Sequence, residues 1–203
     1  MRLSEIEAGT PIKIKAYKGD VKVAEIWGKI RKNTKQESLI DVYYYEGKSI
    51  NLNSPEYEIQ AVAYSNGEQQ IDWKNARVQG DMPDTFVENR DSFRIYIGEV
   101  VECIIKNMET PALLVDLSEG GFRILVRDFC TVGVHAPIVI EVDDEEFNFK
   151  IHGTVVWEKK MNDDKYVYGC SMKADQNNKI AMEYLKKKQQ KLLEEIQKEI
   201  NKA

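Results

Sequence analysis

Along most of this chain apolar and polar residues alternate with the period of two that marks half-buried strands. Ile12-Lys13-Ile14-Lys15-Ala16-Tyr17 opens the pattern, and Lys18-Gly19-Asp20 turns the chain. Val21 to Ile30 and Leu39 to Tyr45 follow, the second stopping at Glu46-Gly47-Lys48. Tyr57 to Tyr64 alternates again and ends at Ser65-Asn66-Gly67, a strong hairpin signal, with Ile71 to Val78 read as a last strand. Six or so short strands with tight turns and no helix predict a small β-barrel over residues 1–80. Gly80-Asp81-Met82-Pro83-Asp84 breaks the pattern and marks the domain boundary. Residues 81–94 lack apolar periodicity and read as a linker. A second set of strands is predicted at 98–106, 110–116, 121–128, 136–143, 147–159 and 166–173. Asp143-Asp144-Glu145-Glu146 and Asn162-Asp163-Asp164-Lys165 serve as solvated hairpin turns. From about Asn178 the composition shifts to Lys, Glu, Gln and Leu, and Ile180, Tyr184, Leu192, Ile196 and Ile200 trace a terminal helix, interrupted by Lys188. The second domain thus runs over 95–203.

Composition narrows the function. The 203 residues carry 31% charged and 9% aromatic side chains, as a soluble globular protein does. A net charge of −5 argues against a broad DNA- or RNA-binding face. No apolar run is long enough for a membrane span, and Met1-Arg2-Leu3-Ser4-Glu5 lacks a signal-peptide core, so a cytoplasmic location is expected. Cys103, Cys130 and Cys170 lie far apart without a CxxC pair and read as buried thiols. His135 and His152 have no ligand partners at motif spacing, so no metal site is expected. There is no nucleophile–base pair, P-loop or GxGxxG, which leaves an enzyme, for instance a flavin-binding split barrel, as a minor alternative.

Two segments hold the chemistry. Arg90-Asp91-Ser92-Phe93-Arg94 places two arginines four residues apart at the entrance to the second domain. Their planar forks suit phosphate or the O6/N7 edge of guanine. Asp116-Leu117-Ser118-Glu119-Gly120-Gly121 places a carboxylate, a hydroxyl and a glycine pair in a turn between strands. The Asp116 carboxylate matches the N1–H and exocyclic amine of guanine, a donor pair that adenine lacks. Ser118 shares its face, and Gly120 and Gly121 are expected to turn with positive φ and admit a ligand closely. Arg123 and Arg127, alternating with Ile124 and Val126, read as a solvated strand face, with Arg123 near enough to the turn to touch a ligand. Trp27, Trp73 and Trp157 read as core or interdomain aromatics, Trp157 being close enough to approach a bound base.

In order and spacing these segments resemble the RxxxR and [D/N]xSxxG motifs of PilZ domains, with Arg90, Arg94, Asp116, Ser118 and Gly121 at the defining positions. Thr154-Val155-Val156-Trp157 and Tyr168-Gly169-Cys170-Ser171-Met172 resemble the closing strands of those domains. The resemblance implies a mainly β protein: an N-terminal split-barrel-like domain, then a six-stranded PilZ barrel with a C-terminal α-helix. It implies a receptor for cyclic di-GMP without catalytic activity or a further cofactor. In it the arginines bind phosphates and guanine, and Asp116, Ser118, Gly120 and Gly121 read a base. A β-domain, linker and PilZ domain in series looks like the flagellar-brake effectors, in which the ligand changes the domain arrangement and contact with a protein partner, the flagellar motor. An adaptor of the same fold that does not use the nucleotide is the alternative.

Overall fold

In the computed structural model the described residues are 1–34, 38–48, 50–73, 78–80, 94–127, 132–162, 164–173 and 177–202. They form two compact units: Met1–Ile95 with Gln189–Ala203, and Tyr96–Lys188.

The first unit contains a short 3₁₀ turn, Leu3–Glu5, and the strands β1 (Pro11–Lys18), β2 (Val21–Asn33), β3 (Ser38–Gly47), β4 (Glu58–Tyr64), β5 (Glu68–Ile71) and β6 (Val78–Gly80). They make one sheet in the order β5-β4-β1-β2-β3-β6, where a split-barrel-like domain was expected. All pairings run antiparallel except β3 with β6. Of the strand predicted over 71–78, Ile71 ends β5 and Val78 begins β6, and residues 74–77 lie outside the described residues. The alternation in β1 works as read: Ile12, Ile14 and Ala16 are fully buried, packed with Ile26, Ile30 and Ile40 from the neighbouring strands. Trp27 faces the other way, level with Lys13. It is buried there by the Lys13 ammonium, 4.4 Å from its ring, and by stacking on Tyr64 at 5.9 Å.

The second unit is a closed barrel built from β7 (Ile95–Ile105), β8 (Met108–Ser118), β9 (Gly121–Arg127), β10 (Pro137–Asp143), β11 (Asn148–Asn162) and β12 (Lys165–Met172). Its order is β10-β11-β12-β9-β8-β7, and the pairing of β7 with β10 closes it. Lys106 and Asn107 join β7 to β8 with φ of 50° and 62°, the two left-handed residues of a type I′ hairpin. Leu114, Leu117, Phe122, Ile124, Val126, Tyr168 and Cys170 fill the interior and are all but inaccessible. The acidic turn is tied internally, with Asp144 Oδ1 accepting the amides of Glu146 and Phe147 at 2.9 and 2.7 Å.

The helix α1 covers Asn177–Ile200. Its residues to Lys188 group with the barrel, and those from Gln189 on group with the N-terminal unit, where the sequence places the whole helix with the second domain. The buried stripe is Ala181, Tyr184, Leu185, Leu192 and Ile196, while Ile180 is 38% exposed. Spacing of three and four residues therefore runs through Lys188 rather than stopping there. Its ammonium is neutralised by Glu99, which also accepts the Tyr184 hydroxyl at 2.8 Å. Within the N-terminal unit Gln189 Oε1 accepts the Tyr45 amide at 3.1 Å, and Lys29 pairs with Glu199 at 2.5 Å.

Candidate functional site

The Asp-Ser-Gly segment sits in the hairpin of β8 and β9. The β8 strand continues through Ser118 instead of ending at Asp116, and its register shifts by one residue between Leu114 and Asp116. That bulge has a specific effect. Leu114 and Leu117 both point into the barrel, and Asp116 and Ser118 lie together on its outer face, as two-residue spacing requires. A two-residue turn, Glu119-Gly120, then pairs Ser118 with Gly121, Leu117 with Phe122 and Asp116 with Arg123.

Hydrogen bonds fix this turn. The Ser118 hydroxyl donates to the Gly121 carbonyl at 3.1 Å, and the Gly120 carbonyl accepts the Met172 amide at 3.1 Å. The glycine pair does not turn with positive φ as expected, since neither residue has a left-handed backbone. What demands glycine is close approach, and only at one position. A Cβ on Gly121 would stand 2.2 Å from the Cys170 carbonyl oxygen of β12, whereas one on Gly120 would meet open space. Glu119 is exposed.

Arg123 is the main departure from the sequence reading. Instead of lying on a solvated face it is only 6% exposed, and its Nη2 donates to Asp116 Oδ2 in a buried ion pair; Asp116 is itself 4% exposed. The bulge sets the carboxylate directly across from it, and the guanidinium folds onto that partner rather than into water. Arg127, four residues on, is exposed as expected. This pairing had a signal in the sequence. Counting outward from a two-residue turn at 119–120 sets 116 opposite 123, as it sets 118 opposite 121.

The outer row continues across β12 and β11 through Gly169 to Trp157. The indole edge of Trp157 fills the notch left by Gly169, with Cε2 and Nε1 each 2.2 Å from where a Cβ would stand. Trp157 is half-buried, so it is a site-facing aromatic rather than a core one. The structure thus brings together Asp116, Ser118, Gly120, Gly121 and Arg123, with Trp157 in the same row. Arg94 is half-buried immediately before β7 and belongs to the first unit. Arg90 lies outside the described residues, as do Phe93 and Cys130.

Residues 88–186 match the family model described as the PilZ domain, so this chain carries a PilZ domain, and the closed barrel with its outer-face hairpin is that domain's fold. Among solved structures the chain is similar to the Bacillus subtilis inhibitor of motility MotI/DgrA, at 14% identity and a TM-score of 0.41, covering 92% of this chain and 99% of that one. It is similar to Escherichia coli YcgR in complex with c-di-GMP, at 14% identity and a TM-score of 0.41, over 94% and 88% of the two chains. A third such structure is the K. pneumonia MrkH–c-di-GMP complex, at 15% identity and a TM-score of 0.40, over 96% and 90%. No curated protein sequence matches the chain significantly. Among the described residues no helix is long and apolar enough to cross a membrane.

Proposed function

We propose that this chain is a cyclic di-GMP effector, a receptor that carries out no chemistry on its ligand. The observation that carries the reading is the PilZ match over 88–186, which spans both motifs, together with the placement of Asp116 and Ser118 side by side on the outer face of the barrel. In this reading Arg90 and Arg94 take the phosphates and the O6/N7 edge of guanine, for which a planar fork is suited. Asp116 accepts the N1–H and exocyclic amine of one guanine, and Ser118 donates to phosphate or base. Gly120 and Gly121 leave the rim of the turn free of side chains, and Trp157 offers a stacking surface. By making contacts to both the arginine segment and the turn, the ligand favours one arrangement of the two domains over others. The output is regulation of motility through a protein partner, the flagellar motor. Occupation of Asp116 by Arg123 favours the alternative, an adaptor that no longer uses the nucleotide.

Calorimetric titration of cyclic di-GMP into the wild type and into Arg90→Ala, Arg94→Ala and Ser118→Ala separates the two readings. Saturable binding is expected, with each arginine variant losing on the order of 2–5 kcal/mol if its anionic partner is left desolvated. Absence of binding up to about 100 µM, weaker than roughly −5.5 kcal/mol, sinks the receptor reading in favour of the adaptor. The motility output is tested by swimming speed in cells producing the wild type or Arg94→Ala. Equal slowing by both would remove the ligand from the pathway.

A further inference from the structure

The Asp116–Arg123 pair is an unusual use of a surface hairpin. Both side chains are on the outer face of the barrel, yet they are 4% and 6% exposed, and they stand directly across the two strands from one another. The adjoining rows of β8 and β9 carry Leu113 opposite Leu125 and Leu117 opposite Phe122, so the hairpin does not depend on charge to hold its register. A buried ion pair is also a poor source of net stability, because desolvation of both charges offsets their attraction. A reason for keeping one here lies in the shape of its donor.

A guanidinium fork and the Watson–Crick edge of guanine present the same array: two parallel N–H groups on an N–C–N frame, aimed at one carboxylate. We infer that Arg123 is an intramolecular stand-in for guanine at Asp116, and that a guanine-containing ligand enters by exchanging its own N–H donors for the Arg123 Nη2 donor. The inference rests on the receptor reading proposed above. It makes Arg123 a residue that sets affinity, while Asp116 reads the base. A guanine edge offers two N–H donors in place of the Arg123 Nη2 donor that Asp116 loses, so the carboxylate is never left unpaired. An adenine edge has no such pair, and its entry would leave the buried carboxylate unpaired. The closed pair also lowers apparent affinity by the fraction of molecules in which Asp116 is open.

The test is calorimetry with cyclic di-GMP and cyclic di-AMP on the wild type, Arg123→Gln and Arg123→Lys, with circular dichroism to verify folding. Arg123→Gln cannot form the charged fork and is expected to bind cyclic di-GMP about tenfold or more tightly than the wild type. Arg123→Lys keeps the buried charge but loses the planar fork, and is expected to fall between the two. A wild type that binds neither nucleotide overturns the receptor reading and this inference together. A wild type that binds, alongside a folded Arg123→Gln or Arg123→Lys that binds equally or more weakly, overturns this inference alone. Should both variants fail to fold, the structure of the wild-type complex decides. Guanine N1 and N2 on Asp116 with Arg123 moved off support the exchange; an intact Arg123–Asp116 pair beside bound ligand overturns it.

Discussion

Replacing Gly121 by alanine adds a methyl group where the chain has none to spare. The new Cβ would lie 2.2 Å from the Cys170 carbonyl oxygen and 3.3 Å from Cys170 C and Ser171 Cα. All three are backbone atoms of β12, the strand to which β9 is paired, so no side-chain rotation relieves the contact. An ordinary carbon–oxygen contact needs roughly 1 Å more, and the two strands must part by about that distance at the Gly121–Ser171 pair. Overpacking of this kind costs about 1–3 kcal/mol. Ladder hydrogen bonds weakened by the opening add about 1 kcal/mol, giving a total near 3 kcal/mol. For a unit of this size that corresponds to a fall of roughly 10–20 °C in the barrel's unfolding midpoint. The control is Gly120→Ala, one residue away, where the added Cβ meets nothing within 4 Å and the cost should stay within about 0.5 kcal/mol. Calorimetric melting of both variants, with hydrogen exchange of the β9 and β12 peptides to locate the loss, checks the difference. Equal midpoints for the two variants would refute the steric account and leave Gly121 to be explained by ligand approach alone.

Three further outcomes are expected. Tyr184→Phe removes the hydroxyl that Glu99 accepts at 2.8 Å but keeps the ring 5.5 Å from Phe147 and Phe149. It should cost about 1–2 kcal/mol, against about 3–5 for Tyr184→Ala, in thermal melts; no difference between Phe and wild type would remove the bond to Glu99. Burial pushes the Glu25 carboxyl up, but hydrogen bonds from Lys22, Lys13 and Trp27 outweigh it and hold the group at about 2. Being depressed, it contributes stability that is complete above its unfolded value near 4 and is lost as pH falls towards 2. With partial exposure the amount is about 1 kcal/mol, so Glu25→Gln should flatten acid unfolding in that window, and an unchanged curve counts against it. Burial, with Glu102 nearby, pushes the Cys103 thiol up to about 12, and Cys170 is as deeply buried. Iodoacetamide at pH 8 should therefore modify neither in the folded protein, and rapid labelling of either peptide by mass spectrometry would contradict the packing.

Much of this fold was legible because local rules and tertiary packing agree. The alternation of Ile12, Ile14 and Ala16 with lysines survives as the inner and outer faces of β1, and Ser65-Asn66-Gly67 turns where its composition says, with Gly67 at φ 95°. The turn Asp143 to Glu146 was read correctly for the same reason, since an Asp can satisfy its own loop amides. What escaped depends on contacts between distant segments. The parallel pairing of β6 with β3 joins residues some forty apart and has no local signature. Composition marks Gly120 and Gly121 alike as turn residues, while the need for glycine at one of them comes from a carbonyl fifty residues away. Arg123 reads as solvated by alternation, which reports the face of a strand and not what covers that face. In the helix, Lys188 reads as an interruption because its partner, Glu99, is supplied by β7, far away in sequence.

The order of strands around the barrel has a kinetic consequence. The motif hairpin of β8 and β9 is local in sequence, but its backing is β12, the last strand of the domain to leave the ribosome. Until Ser171 and Met172 are in place, the Gly120 carbonyl lacks its amide and Gly121 lacks the strand it packs against. The turn is therefore finished late, after the β7–β8 and β8–β9 hairpins have formed and as the ring closes. A ligand that recognises the finished turn has little to hold in the folding transition state. It would lengthen the lifetime of the folded barrel by slowing its opening and leave the rate of its formation almost unchanged.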